Sequence, residues 1–227
     1  MQTLTLWALS LMLYLQPVSR HRSTLETIPQ RDARYQEIAA AIEKVVAANA
    51  PLIPGPSGRA YTAAVLLAVT YVESGWRKDV DLGLSRAKRA SWGEEDHGRS
   101  WCMGQINLGS GTVPVGDDVM KSWTGKDLIS DREKCMAVVL EMVRRSFASC
   151  RFLPRDQWLN QYASGECKPD PAKCDEDKVC LDKQARKYAD ASHKSRTRVQ
   201  LANRVFHRFA ETAPKEGTSA VTPAVTP

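Results

Sequence analysis

From Ala63 to Val69 the chain reads Ala-Ala-Val-Leu-Leu-Ala-Val, seven apolar residues in a row, and the helical stretch that begins at Ala60 runs on to a carboxylate at Glu73. A helix that is apolar on every side cannot lie on a surface, so other elements must surround it. The flanking sequence offers them. Upstream, Ile38, Ala41, Ile42, Val45 and Ala48 recur at helical spacing between Arg34 and Ala50, and Pro51, Pro54 and Pro56 stop the pattern. Downstream, Met136, Val139, Leu140, Val143 and Phe147 mark one face of a helix ending near Ser149, and Ser130-Asp131-Arg132-Glu133 fits a capping box at its start. A short helix is expected from Pro154 to Gln161. A long one is expected from Asp182 to Ala210, docking through Leu201, Val205, Phe206 and Phe209.

These pieces predict a mainly α-helical single domain over residues 34–211, preceded by a linker at 21–33 and followed by an unstructured tail at 212–227 that ends in a doubled Ala-Val-Thr-Pro. A length of 227 residues suits one domain with extensions. The 43% of apolar and 26% of charged residues exclude a bilayer-resident chain and a wholly disordered one.

Leu4 to Leu15, Leu-Thr-Leu-Trp-Ala-Leu-Ser-Leu-Met-Leu-Tyr-Leu, is too short to span a membrane and has the length of a secretory h-region. Residues 1–20 are therefore expected to be a signal peptide or an apolar anchor. No Lys or Arg precedes the run, Arg20 and Arg22 follow it, and no clear small-x-small cleavage site is present, so an apolar helix packed on the domain is the other reading. The even set Cys102, Cys135, Cys150, Cys167, Cys174 and Cys180 suggests disulfides and an exported, periplasmic or secreted destination. Six cysteines allow fifteen connectivities, and spacing does not choose among them. A metal site from Cys167, Cys174, Cys180 and His193 would lack the close cysteine pairs of zinc knuckles, and no metal or other cofactor is expected.

Ser74 to Val119 has no sustained periodicity and is rich in Gly, Asp and Ser, which predicts loops or short strands between the central helix and the later ones. A carboxylate at the end of an all-apolar helix is costly to bury charged, and desolvation is a usual means by which a general acid keeps its proton. A Glu at a helix end also commonly just faces water. Four separated motifs shift the balance: Glu73-Ser74-Gly75-Trp76, then Cys102-Met103-Gly104-Gln105-Ile106, then Leu128 to Met136, then Gln161-Tyr162-Ala163-Ser164-Gly165.

In order and spacing over Tyr61 to Phe209, these motifs resemble those of the soluble lytic transglycosylases of the lysozyme-like superfamily. Cys135 and Met136 depart from the third motif, and the second and fourth are altered. The resemblance implies a lysozyme-like fold, peptidoglycan glycan strands as substrate and Glu73 as sole acid and base. It also implies substrate contacts from Gln105 and Tyr162, and a supporting role for Ser74. The family reaction cuts between N-acetylmuramic acid and N-acetylglucosamine without water and leaves a 1,6-anhydro sugar.

Trp92-Gly93-Glu94 is similar to an element of goose-type lysozymes, which implies hydrolysis as the alternative. Inversion needs a second carboxylate about 6.5–9.5 Å from the acid, which Glu94, Glu95 or Asp96 would supply. The Asp that goose-type enzymes place after the glutamine motif is Asn107 here. A non-catalytic wall-binding protein with the same fold is a third reading.

Trp76, Trp92, Trp101 and Trp123 lie near these motifs, and one or two, Trp76 among them, are expected to meet sugar rings while the others pack. Between Asp182 and Ala210 eight Lys or Arg face two Asp, a local excess of six that equals the net charge of the whole chain. That stretch suits anionic wall polymers, a membrane surface or simple solvation. No nucleic-acid motif accompanies it, and a monomer is expected.

Overall fold

The computed structural model describes residues 3–20, 25–83, 100–109, 111–174 and 177–208. The chain is mainly helical. Helix α1 is Leu4–Leu15, α2 Ile28–Ala48, α3 Gly58–Ser74 and α4 Lys78–Asp81. A two-stranded antiparallel hairpin follows, β1 Ser100–Trp101 and β2 Ile106–Asn107. Then come α5 Asp118–Lys121, α6 Gly125–Ser130, α7 Arg132–Ser149, α8 Asn160–Ser164 and α9 Lys178–Arg208.

Helix α3 is the centre, and every residue from Ala60 to Thr70 on it is buried. Helices α1 and α2 pack on it and on each other, α7 packs on α2 and α3, and α9 lies along α3. Helix α3 ends where Gly75 takes the left-handed conformation and returns its N–H to the Tyr71 carbonyl at 2.7 Å.

The apolar run at the N-terminus is part of this core. Leu4, Trp7, Ala8, Leu11, Met12 and Leu15 are buried, at the 3-and-4 spacing of one helix face. Fully burying such side chains is worth about 1.5–3 kcal/mol each, so the segment contributes as core whatever its role in export. Among the described residues no helix is long and apolar enough to cross a membrane.

Helix α2 begins at Ile28, inside the expected linker. Thr27 and Gln30 form a reciprocal capping box, with Pro29 in the first turn. The early turns bury Arg31 and Arg34 rather than apolar residues, which hid them from a search for hydrophobic spacing. At the start of α7 the cap is Asp131, which accepts from the backbone N–H of Glu133 at 2.9 Å and Lys134 at 3.2 Å. Ser130 instead closes α6, and the capping box belongs to Thr124 and Asp127 one helix earlier.

The cysteines pair Cys102–Cys135, Cys150–Cys167 and Cys174–Cys180. The polar segment between Cys167 and Cys180 is thus tied at both ends, but to different partners. With Cys167, Cys174 and Cys180 in disulfides, the thiolates that a metal site there would need are engaged. The tail from 212 onward lies outside the described residues.

Candidate functional site

Glu73 is the penultimate residue of α3, and its side chain keeps 20 % exposure where the helix opens onto a cavity of about 620 Å³. The hairpin contributes Ser100, Gln105 and Asn107 to the walls, α8 and its end contribute Gln161, Tyr162 and Gly165, and α9 contributes Lys187, Lys194 and Arg198. Three of the residues expected at the site, Glu73, Gln105 and Tyr162, thus line one space from three separate elements.

The hairpin turn that carries Gln105 is held from several sides. Cys102 and Gln105 both adopt positive φ, near +51°, a conformation that costs a non-glycine residue about 1–3 kcal/mol. The Cys102–Cys135 disulfide ties the turn to α7. Gly104 sits so close to α7 that a Cβ there would stand 2.3 Å from Val139 Cγ2. The Tyr162 hydroxyl donates to the Gly104 carbonyl at 2.8 Å, and the Gln105 side-chain amide donates to the Cys102 carbonyl at 3.0 Å.

Tyr162 is positioned in turn by the buried Ser146. Its N–H donates to Ser146 Oγ at 3.1 Å, while Ser146 Oγ donates to the Trp158 carbonyl at 2.7 Å. Burial, assisted by the nearby Glu73 carboxylate and opposed by Arg198, pushes the Tyr162 phenol well above its ordinary pKa. It therefore stays a neutral donor.

Arg198 is the residue that sequence reasoning missed. Its side chain is 4 % exposed, and Nη2 donates to Glu73 Oε1 in a direct ion pair. Nε and Nη1 are buried with no hydrogen-bond partner, and the guanidinium carbon lies 5.8 Å from the Tyr162 ring centroid. Glu73 therefore does not sit in an apolar pocket, as the all-apolar helix behind it suggests. The signal was present in α9: Ala191, Ser195, Arg198, Ala202 and Val205 form a buried stripe at spacings of four and three, and one member is an arginine.

Two expected contacts take structural positions instead. Ser74 turns its hydroxyl onto the helix end, donating to the Thr70 carbonyl at 2.8 Å and accepting from the Trp76 N–H at 3.2 Å. Trp76 is 0 % exposed, so it offers no face to a sugar. Its indole N–H donates to Thr70 Oγ1 at 2.9 Å and its ring packs against Tyr35 and Tyr71, which anchors the turn after α3 in spite of the residue's own φ of +50°. Trp101 and Trp123 pack, half-buried, against the core. Trp92 and the candidate second carboxylates Glu94, Glu95 and Asp96 lie outside the described residues.

Among the described lining residues Glu73 is the one carboxylate, and an uncharged Asn107 stands on the hairpin beside it in the lining. The cavity thus offers one carboxylate, a neutral phenol, amide donors and acceptors, and a cationic wall. No protein-family model, curated protein or solved structure matches the chain.

Proposed function

We propose that the chain cleaves the glycan strands of peptidoglycan on a lysozyme-like fold, as a non-hydrolytic transglycosylase with Glu73 as single acid and base. The observation that carries this reading is the meeting of Glu73, Gln105 and Tyr162 around one cavity, in the order their motifs follow along the chain. Arg198 holds Oε1, while Oε2 has no partner among the described residues and is the oxygen available to a substrate.

In this mechanism Glu73, with Oε1 held by Arg198, carries the proton on Oε2 and gives it to the glycosidic oxygen as the bond from that oxygen to the muramic C1 breaks. The muramic C6 hydroxyl then gives its proton to the carboxylate as its oxygen bonds to C1, so the enzyme ends as it began. Gln105 and Tyr162 orient the sugar, and the Glu73–Arg198 pair fixes the carboxyl plane. Asn107 in place of an acid on the hairpin favours this route over a water-activating one, which needs a second carboxylate.

Digestion of purified peptidoglycan by the full chain and by Glu73→Gln, followed by mass spectrometry, tests the proposal. Anhydromuramic ends from the parent alone are expected. Reducing ends would make the chain a hydrolase. Binding without release would make it a wall-binding protein.

A further inference from the structure

The cavity is charged on one side. Lys187, Lys194 and Arg198 all line it from α9. At 100° per residue they fall within about 40° of one another around the helix, and at 1.5 Å per residue they span about 16 Å along it. The negative groups that face this wall are few. Glu73 takes one nitrogen of Arg198, Asp190 pairs with Lys194 at 2.7 Å, and Glu166 is engaged by Lys173 at 2.9 Å. Lys187 makes no ion pair within 4 Å among the described residues, although its charge helps to lower the Glu166 carboxyl pKa after that of Lys173. It also lines a smaller adjoining cavity with Lys168, so the basic wall continues away from Glu73.

Arg198 supplies the second observation. A buried guanidinium normally satisfies its donors, because each unpaired buried donor costs about 1–3 kcal/mol. Arg198 leaves two nitrogens unpaired at the inner end of the wall. The acceptors left unpaired nearby are the neutral amide oxygens of Gln161 and Gln184, and carboxylates pair better with guanidinium and ammonium groups.

We propose that the α9 wall is a subsite for the carboxylates of the peptide arms borne by the glycan, so that peptide-bearing strands, not stripped ones, are the preferred substrate. This rests on the function proposed above and names the substrate form for that site. A bare glycan would leave Lys187 and Lys194 facing an uncharged ligand, whereas a peptide arm brings carboxylates that can pair with them. The attraction acts on binding, so it lowers KM more than it raises kcat.

The test compares intact peptidoglycan with strands whose peptides have been removed by an amidase, using the full chain, Lys187→Glu/Lys194→Glu and the milder Lys187→Gln/Lys194→Gln. Arg186→Glu/Arg196→Glu applies the same charge change to exposed positions of α9 that do not line the cavity. Both cleavage and co-sedimentation with the polymer are measured. The parent and the control are expected to favour peptide-bearing material by about tenfold in kcat/KM, and both cavity-facing variants to bring that ratio close to one through KM. An unchanged ratio in these variants, or no preference in the parent, overturns the proposal. If nothing is cleaved, the function above fails on its own. Co-sedimentation then decides the subsite: loss of preferential binding in the cavity-facing variants supports it, and equal binding overturns it.

Discussion

Arg34 and Arg198 are both almost sealed from solvent, at 6 % and 3 % exposure, and both face carboxylates. Arg34 grips Glu26 with two nitrogens at 2.9 and 2.6 Å and reaches Asp81 with the third at 3.4 Å. Asp81 in turn accepts from Arg132, which continues to Glu37 at 2.7 Å. Burial works against the charge on Arg34, but the bonds to Glu26 and the field of Asp81 outweigh it and hold its pKa above the ordinary value.

Arg198 has one bond, two idle donors and a cavity beside it. The first arrangement alternates charges until every donor is used, and it joins α2, α4 and α7. The second stops short. Saturated networks hold elements together, and an unfinished one at the edge of a cavity is where a ligand has something to add.

The contrast makes measurable claims. The largest effect is expected at Glu73→Gln, which should lower glycan cleavage by about 10²–10⁴-fold while leaving the melting temperature near that of the parent. Arg34→Met should do the reverse, since taking two charge-assisted bonds from the buried Glu26 and weakening the hold on Asp81 costs about 3–5 kcal/mol, read from denaturant unfolding. If Arg34→Met proves harmless to stability, the distinction between the two arginines collapses.

Tyr162→Phe should cost about 0.5–1.5 kcal/mol through the lost bond to the Gly104 carbonyl. It also carries a pH signature. The folded phenol titrates well above its ordinary value, so the folded state retains a proton that the unfolded chain gives up at about pH 10. Stability from this group is therefore complete below about pH 10 and declines above it, and the variant should lose that part of the alkaline decline. The smallest change in stability is expected at Arg198→Met, within about 1 kcal/mol of the parent, because the substitution removes two unsatisfied donors and the cavity lets water reach Glu73. A loss as large as that of Arg34→Met would mean that Arg198 is cement after all.

How far the molecule was legible differs by element. The all-apolar run of α3 could only be central, and the motif order brought Glu73, Gln105 and Tyr162 to one cavity. Leu4 to Leu15 was ambiguous because a leader and a core helix can share a composition. The burial of Trp7, Leu11 and Met12 where α1 meets α2 and α3 is a tertiary fact that composition does not carry. The start of α2 was hidden by buried arginines, since apolar spacing does not register a charge that is paired inside.

Trp76 beside the glutamate looked like a sugar platform, yet the left-handed turn at Gly75 and Trp76 drives the ring back among Tyr35 and Tyr71. The disulfide pairing depended on how the hairpin and the loop after α8 meet α7, which spacing does not carry. Arg198 could have been found by asking why an arginine occupies a position on the buried stripe of α9, where the neighbouring members are Ser195 and Ala202.

Glu73 and Arg198 stand 125 residues apart in the chain. Helices α1, α2 and α3 meet one another within the first 74 residues, so that corner can close early, whereas the charged cavity waits for the last helix. Contacts this distant come late because the intervening loop must be closed before they return anything. A chain made from its N-terminus thus passes through a stage in which its interior is largely built but the Glu73 carboxylate still lacks Arg198. The far end of the polypeptide completes the cavity around Glu73.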